Sequence, residues 1–475
     1  MSSFKSIGRN SIFLALSQII EKILIFLMAI LLARYLGKGD YGRLVYATAF
    51  ANLFTFFWDF GLGRLIIRDV ARNRSDASIT FSSKFEFQIV SCFVGILVLS
   101  LYLILFEIRG LEVFLILILG ISTALNYLSN SFRSVFIAFE KAEYEMYFNF
   151  ALRSALLLTI FWTIHSGWEL ISISLVLLFF SLLNLIGSWR LVERKFFPLQ
   201  FRKSQANFLS IMKDSFPIAI IIAFTTFYLQ INKILLLKWR GAEATGIYGA
   251  VDVIVMTFLI ISNSLVLATF PIISKENGMS KEKTFPIYKS VFKVLITLGL
   301  PIALGGMLLN KEIISLIYGA KFSESKEVLK ILIWLTPIIF LTNFTGSCLI
   351  AVEKQKQLAI ICGFNTILNL ALNLILIPYY GYVGAAIASL TTEGVNLIIQ
   401  YRVLRYYWED SVFDTSLLKI LFSLGLMGFF IHWLQGWNLF LILSGAVVLY
   451  LVSLFATGFY SQKDLSAIKT WLFQK

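Results

Sequence analysis

The sequence predicts an all-α integral membrane protein with about 14 transmembrane helices. Two observations predict the class. Hydrophobic residues make up 58% of the 475 positions and charged residues only 14%, too little charge to cover the surface of a soluble chain of this length. The apolar residues also fall in blocks of about 20, the length a helix needs to cross a hydrocarbon core of ~30 Å. Such blocks are too long and too continuously apolar for barrel strands. A third observation, the uneven placement of Lys and Arg between the blocks, predicts the orientation.

The first block, 10–33, is too long for the core of a signal peptide and contains Glu21 and Lys22, so it reads as the first transmembrane helix and not as a cleaved leader. Further spans follow at 41–66, 84–106, 112–139, 147–166, 169–190, 214–237, 246–270, 289–309, 328–351, 357–378, 382–404, 416–434 and 438–459. The longest connections, 67–83, 191–213, 271–288 and 310–327, are too short for a soluble domain. Cys92, Cys348 and Cys362 lie singly inside apolar blocks and suggest neither a disulfide framework nor a metal site. His165 and His432 sit near outer span ends, with no second His beside either. Trp168, Trp189, Tyr406, Tyr407, Trp408 and Trp437 read as interfacial anchors.

With the N-terminus placed in the cytoplasm, 28 of the 41 Lys and Arg residues fall on the cytoplasmic side and 10 outside. This bias predicts a multi-pass protein of the cytoplasmic (inner) membrane with both termini inside. Arg153 is counted with Lys141 among the cytoplasmic charges, and Arg109 among the outer ones. The net charge of +14 is scattered between apolar blocks and forms no single patch, so nucleic acid is not an expected partner.

An internal repeat accompanies these spans. Residues 33–47 read ARYLGKGDYGRLVYA and residues 237–250 read LKWRGAEATGIYGA. Arg34 matches Lys238, Tyr35 matches Trp239, Gly37 matches Gly241 and Gly42 matches Gly246, all at an offset of 204 residues. Each copy joins two spans, helices 1 and 2 or helices 7 and 8. Six spans separate the copies, so the halves run parallel about an axis along the membrane normal. Two such lobes around a central cavity are the design of a transporter.

Several strings carry a family resemblance. The run Leu-Ala-Arg-Tyr-Leu-Gly-Lys-Gly-Asp-Tyr-Gly at 32–42 resembles the first outer turn of the polysaccharide transporters. Asp59-Phe60-Gly61-Leu62 followed by Arg68 resembles the end of their helix 2. Gly381-Tyr382-Val383-Gly384-Ala385-Ala386-Ile387-Ala388 resembles the start of their helix 12, and the order of Pro271, Pro301 and Ile317-Tyr318-Gly319 fits as well. The chain is thereby similar to the O-antigen and exopolysaccharide flippases of the multidrug/oligosaccharidyl-lipid/polysaccharide (MOP) exporter superfamily, which also holds the multidrug and toxin extrusion antiporters and the lipid II flippases. The resemblance implies a transporter, not an enzyme, whose substrate is an oligosaccharide on a polyprenyl phosphate or pyrophosphate. It implies alternating access between two six-helix lobes, 1–203 and 204–410, with two further helices and a short tail at 411–475. Membrane lipids and, beside the transporter, a polysaccharide polymerase or glycosyltransferases are the implied partners.

Ionisable residues inside spans are functional candidates, because each costs ~2.5–3.5 kcal/mol on insertion scales. Lys22, Arg133 and Lys233 are the candidates for binding an anionic headgroup, since Lys and Arg replace the hydration of a phosphate and Arg does so with a two-pronged fork. Asn126, Asn130 and Arg133 form one polar stripe on the fourth span. Arg64 and Arg68, at the cytoplasmic end of the second span, either receive the substrate or serve only as topology signals. Glu21, Asp59, Asp252 and Glu393 are candidate charge partners or coupling groups. Lys22 would then pair with Asp59, and Lys233 with Asp252. No cofactor is expected. Some superfamily members carry a sodium site on helices 7, 11 and 12 built with carboxylates; here the positions read Asn232, Asn369 and Asn373, which bring carbonyl ligands but no charge, and proton coupling stands beside sodium as the other form. Asn365, Asn369 and Asn373, spaced at i, i+4 and i+8, alternatively make hydrogen bonds between helices.

Two other functions compete. A cation-coupled multidrug antiporter of the same superfamily favours carboxylates in its cavity. A membrane-embedded polysaccharide polymerase or glycosyltransferase needs a large loop or an Asp-x-Asp pair, and the chain has neither.

Overall fold

The structure, a computed structural model, describes residues 2–106, 110–200, 208–277, 281–409 and 416–459. Arg109, the expected lobe boundaries at 203/204 and 410/411, and the tail beyond 459 lie outside the described residues.

Fifteen α-helices are present among the described residues: α1 (Ser2–Leu53), α2 (Thr55–Asp59), α3 (Leu62–Arg72), α4 (Ala77–Leu105), α5 (Leu111–Ala138), α6 (Ala142–His165), α7 (Leu170–Lys195), α8 (Phe208–Asn277), α9 (Lys281–Leu308), α10 (Asn310–Tyr318), α11 (Ser325–Leu332), α12 (Leu335–Ala351), α13 (Gln355–Trp408), α14 (Ser416–Trp433) and α15 (Leu439–Ala456). Nine helices among the described residues are long and apolar enough to cross a membrane, and α11 with α12 makes a tenth span bent by 41°. Three of the nine, α1, α8 and α13, are interrupted at Gly37, Gly241 and Gly381, and each carries two of the sequence-predicted spans. With the short apolar stretch Leu417–Trp433, every predicted span but the second, which is broken, falls on continuous or bent helix. Large apolar side chains cover the outside, with Ile104 72%, Leu158 69% and Phe429 69% exposed, a surface that suits lipid.

The chain forms two compact units, Met1–Gly249 and Ala250–Lys475. The first is built on α5 against α7, with α1 packed on α5 and α6, and its core holds Trp58, Phe81, Phe132 and Phe136. The second packs α12 against α9 and α13, and α14 against α15 and α9, around Tyr288, Phe340, Phe344 and Trp408.

The repeat has a physical basis inside the first unit. Gly37 (φ 71°, ψ 176°) and Gly241 (φ 82°, ψ 178°) share one backbone conformation, a region essentially closed to residues with a Cβ. The two turns then pack on each other. A Cβ on Gly42 would overlap the carbonyl oxygen of Ala242, and one on Gly246 would overlap that of Lys38. Lys38 and Ala242 are equivalent at the same offset of 204, so the contact is reciprocal. Lys38 Nζ also reaches Glu243 Oε2 at 2.9 Å.

The second span departs from expectation. It was expected as one helix over 41–66, but the chain breaks after Leu53 and again at Phe60–Gly61. Phe60 lies at φ 47°, a left-handed conformation that costs a residue with a Cβ roughly 1–2 kcal/mol. Freed backbone groups in lipid must find partners. Trp58 Nε1 donates to Ala51 O at 2.9 Å, Gln88 Nε2 to Trp58 O at 2.9 Å, and Ser91 Oγ to Phe57 O at 2.8 Å. Polar residues of α4 therefore hold the broken helix.

Candidate functional site

Four charged side chains meet where α1, α5 and α6 pack together. Arg133 on α5 donates through Nη2 (2.6 Å) and Nε (3.1 Å) to Glu145 Oε1 on α6, and through Nη1 (3.1 Å) to Asn130 Oδ1. A longer contact of 3.3 Å joins its Nη2 to Glu21 Oε2 on α1. The other oxygen of Glu21 accepts from Arg153 Nη2 at 3.2 Å. Two guanidinium groups and two carboxylates thus balance in charge while their side chains keep only 6–24% of their exposure. A buried ion pair breaks even only when each charge finds a counter-charge and hydrogen bonds, which this arrangement supplies.

The structure therefore unites two of the sequence candidates, Arg133 and Glu21, and adds two that the sequence reading did not use. In the sequence Arg153 reads as a topology charge, and Glu145 lies just before the expected fifth span. A signal was present, because Glu145, Asn149 and Arg153 follow at i, i+4 and i+8 and so share one face of α6. The stripe on α5 divides. Asn130 binds Arg133, whereas Asn126 Nδ2 donates to Ser181 Oγ on α7 at 2.8 Å and its Oδ1 accepts from Asn184 at 3.1 Å. Asn126 joins α5 to α7, and its amide oxygen, the atom that could accept from Arg133, is taken by Asn184.

Lys22, next to Glu21, is exposed and has no ion-pair partner among the described residues. Asp59 does not pair with it. Its carboxylate accepts the Gly61 N–H at 3.2 Å and so ties down the backbone at the break between α2 and α3. Arg64 is exposed. Arg68, 59% exposed, donates from Nε to Asp69 Oδ1 at 2.6 Å, while the nearly buried Lys84 reaches Asp69 Oδ2 at 2.7 Å. Burial pushes the Asp69 carboxyl up, but Arg68 and Lys84 together outweigh it and hold the group below the usual carboxylate range. Asp69 and Lys84 line a cleft of about 580 Å³ with Arg72, Asn73 and Thr80.

On α8, Lys233 Nζ donates to Gln230 Oε1 at 3.2 Å, one turn back, and Asn232 Nδ2 donates to Tyr248 Oη at 2.9 Å. Asp252, 8% exposed, lies beyond the Gly241 break.

Buried amides set the character of the second unit. Thr345 Oγ1 donates to Gln400 Oε1 at 2.5 Å, Gln400 Nε2 to Asn396 Oδ1 at 2.8 Å, and Asn396 Nδ2 to Glu393 Oε2 at 2.9 Å. Asn373 Nδ2 donates to Asn369 Oδ1 at 2.9 Å, and Asn369 Nδ2 to Thr392 Oγ1 at 3.4 Å across the Gly381 break. The latter contact ties the two halves of α13.

The first 277 residues settle the family, because residues 7–277 match the profile described as Polysaccharide biosynthesis protein. The chain belongs to this family. Residues 217–375 also match the MatE profile, which places the chain in the MOP exporter superfamily. An uncharacterized membrane protein of Methanocaldococcus jannaschii is 24% identical over 419 residues, 84% of this chain and 98% of the relative. A putative O-antigen transporter of Shigella dysenteriae is 28% identical over 203 residues, 42% of this chain and 50% of the relative. Among solved structures, the lipid II flippase MurJ in an inward closed conformation superposes with a TM-score of 0.74 at 15% identity, over 92% of this chain and 96% of that one. At that identity the likeness concerns the fold alone.

Proposed function

We propose that this protein is a flippase. It carries an oligosaccharide linked to a polyprenyl phosphate or pyrophosphate from the cytoplasmic to the outer leaflet, by alternating access, for the synthesis of cell-surface polysaccharide. The observation that carries this reading is the pair of arginines, Arg133 and Arg153, held among three apolar helices of a polysaccharide biosynthesis family protein. Guanidinium groups on membrane-spanning helices are costly and suit a substrate whose headgroup is a phosphate. The names of the Shigella relative and of MurJ agree with it. In this reading the six-helix lobes are 1–203 and 204–410, the helices beyond 411 are appended, and both termini face the cytoplasm. Lys22, Lys233, Arg64 and Arg68 add positive charge along the path. A polymerase or glycosyltransferase consumes the flipped lipid. That consumption, or the membrane potential, drives transport, since Asn232, Asn369 and Asn373 offer a sodium ion no counter-charge.

The test is leaflet exchange of a fluorescent lipid-linked oligosaccharide in liposomes containing the purified chain. The native chain flips it, and Arg133→Ala, checked for folding by thermal unfolding, does not. The match to the MatE profile favours a second reading, a cation-coupled drug antiporter. Proton- or sodium-driven efflux of a cationic dye, with no flipping by the native chain, would replace the first reading with the second.

A further inference from the structure

The two arginines are not held alike. Arg133 donates twice to one oxygen of Glu145, at 2.6 and 3.1 Å. Glu21 instead offers one oxygen to each arginine, at 3.3 Å to Arg133 and 3.2 Å to Arg153. Both of these contacts lie at the long end of hydrogen-bond range, whereas charge-assisted bonds run about 2.7–2.9 Å when fully formed. For Arg153 this long contact is the one ion pair made with a described residue. A carboxylate that straddles two guanidiniums, one oxygen on each, occupies the place that two oxygens of a phosphate would fill.

A second feature lies beside this bridge. Glu145 Oε2 and Asn149 Nδ2 are buried and make no hydrogen bond with the described residues, although their residues are only 5% and 4% exposed. Asn149 lies one turn from Glu145 and one turn from Arg153 on the same face of α6. The cluster therefore keeps a spare amide donor, and a buried donor without an acceptor is expensive unless something fills the role.

We propose that Arg133 and Arg153 form the phosphate site of the carrier lipid, that Asn149 supplies a further donor to it, and that Glu21 is its resident anion, displaced when the headgroup binds. The inference rests on the flippase reading and deepens it. The exchange has a physical logic. With Glu145 kept on Arg133, moving Glu21 away with no substrate bound would leave one uncompensated guanidinium charge among the helices on the return stroke. Glu21 supplies the balancing charge when no substrate is bound. A headgroup phosphate or pyrophosphate carries more charge and more acceptor oxygens than a carboxylate, and arginine pairs with it through its fork. Glu145 stays in place and positions Arg133 throughout.

The experiment titrates the purified full chain with farnesyl pyrophosphate in detergent and measures its dissociation constant, with inorganic pyrophosphate as competitor to separate headgroup from lipid-tail recognition. Glu21→Gln keeps the shape and removes the competing charge; it binds the probe about tenfold more tightly than the native chain. Arg153→Gln binds about tenfold more weakly. The double variant Glu21→Gln with Arg153→Gln restores charge balance, folds even if the single arginine change does not, and loses the gain of Glu21→Gln. Inorganic pyrophosphate competes in each case. Failure of the native chain to bind the probe, equal affinity of Glu21→Gln and native, or equal affinity of the double variant and Glu21→Gln overturns the assignment. If the native chain still flips lipid-linked oligosaccharide in liposomes, only the site assignment falls; if it does not, the flippase reading falls with it.

Discussion

Between α1, α5 and α6 two arginines and two glutamates form the polar network, whereas between α12 and α13 it is formed by Thr345, Gln400 and Asn396, with Glu393 at its end. The first network is strong, orientation-dependent and costly to break, because each member left alone is a bare charge in a medium that cannot hydrate it. The second is weaker and more tolerant, because a lost amide contact leaves only a dipole. The difference teaches where a charged substrate can act. An anion entering the arginine site has a carboxylate to displace and full charges to bind. An anion entering the amide network finds a few dipoles and one like charge.

Glu145→Ala makes the largest predicted difference. It leaves Arg133 with Asn130 and, as its one carboxylate, the long contact to Glu21, and thermal or denaturant unfolding in detergent shows a loss of about 3–5 kcal/mol. A loss comparable to that of an amide substitution would mean the two networks are energetically alike. The paired change Arg133→Met with Glu145→Leu removes both charges, leaves Glu21 with Arg153, and keeps near-native stability, yet slows flipping at least about tenfold. Retained flipping would detach the arginine cluster from transport. In the second unit, Gln400→Leu costs only about 1 kcal/mol and leaves the flipping rate within about threefold. A larger transport defect would move function toward the amides.

The smallest effect lies outside the spans, at Asp69. Its carboxyl titrates below its ordinary value of 3.8 because Arg68 and Lys84 outweigh burial. A depressed folded-state value means that the stabilisation is complete above the unfolded value and is lost as pH falls through the folded one. The melting temperatures of native protein and Asp69→Asn therefore differ at pH 7 and converge as the solution is taken below pH 3.8. A constant gap across that range would show that Asp69 acts through packing and not through its charge.

Much of the architecture was legible because it is written in one dimension. Span length follows from runs of apolar residues. The repeat followed from glycines that a shared turn conformation demands, and Gly37 with Gly241 meets that demand in the structure. That Gly42 and Gly246 face each other was not legible, since their matched spacing says nothing about which surface each turn presents. The interruption of the second span was hidden by hydropathy, which averages over a window and continues smoothly through Phe54–Phe57. Its local signal was there in Asp59-Phe60-Gly61, an acceptor followed by a glycine.

The arginine site shows the same division more sharply. Arg133 stood out because a charge among apolar residues is visible in any linear reading. Arg153 did not, because near a span end it is indistinguishable from a residue that merely fixes orientation. The sequence by itself determined the membrane class, the helical spans, the repeat and the residue types that bear charge at depth. Only the tertiary structure decided which charges meet. A helix turns by 100° per residue, so the partner of each side chain depends on the rotation and depth of its helix against its neighbours. Packing sets both, and no pattern within a single span encodes them.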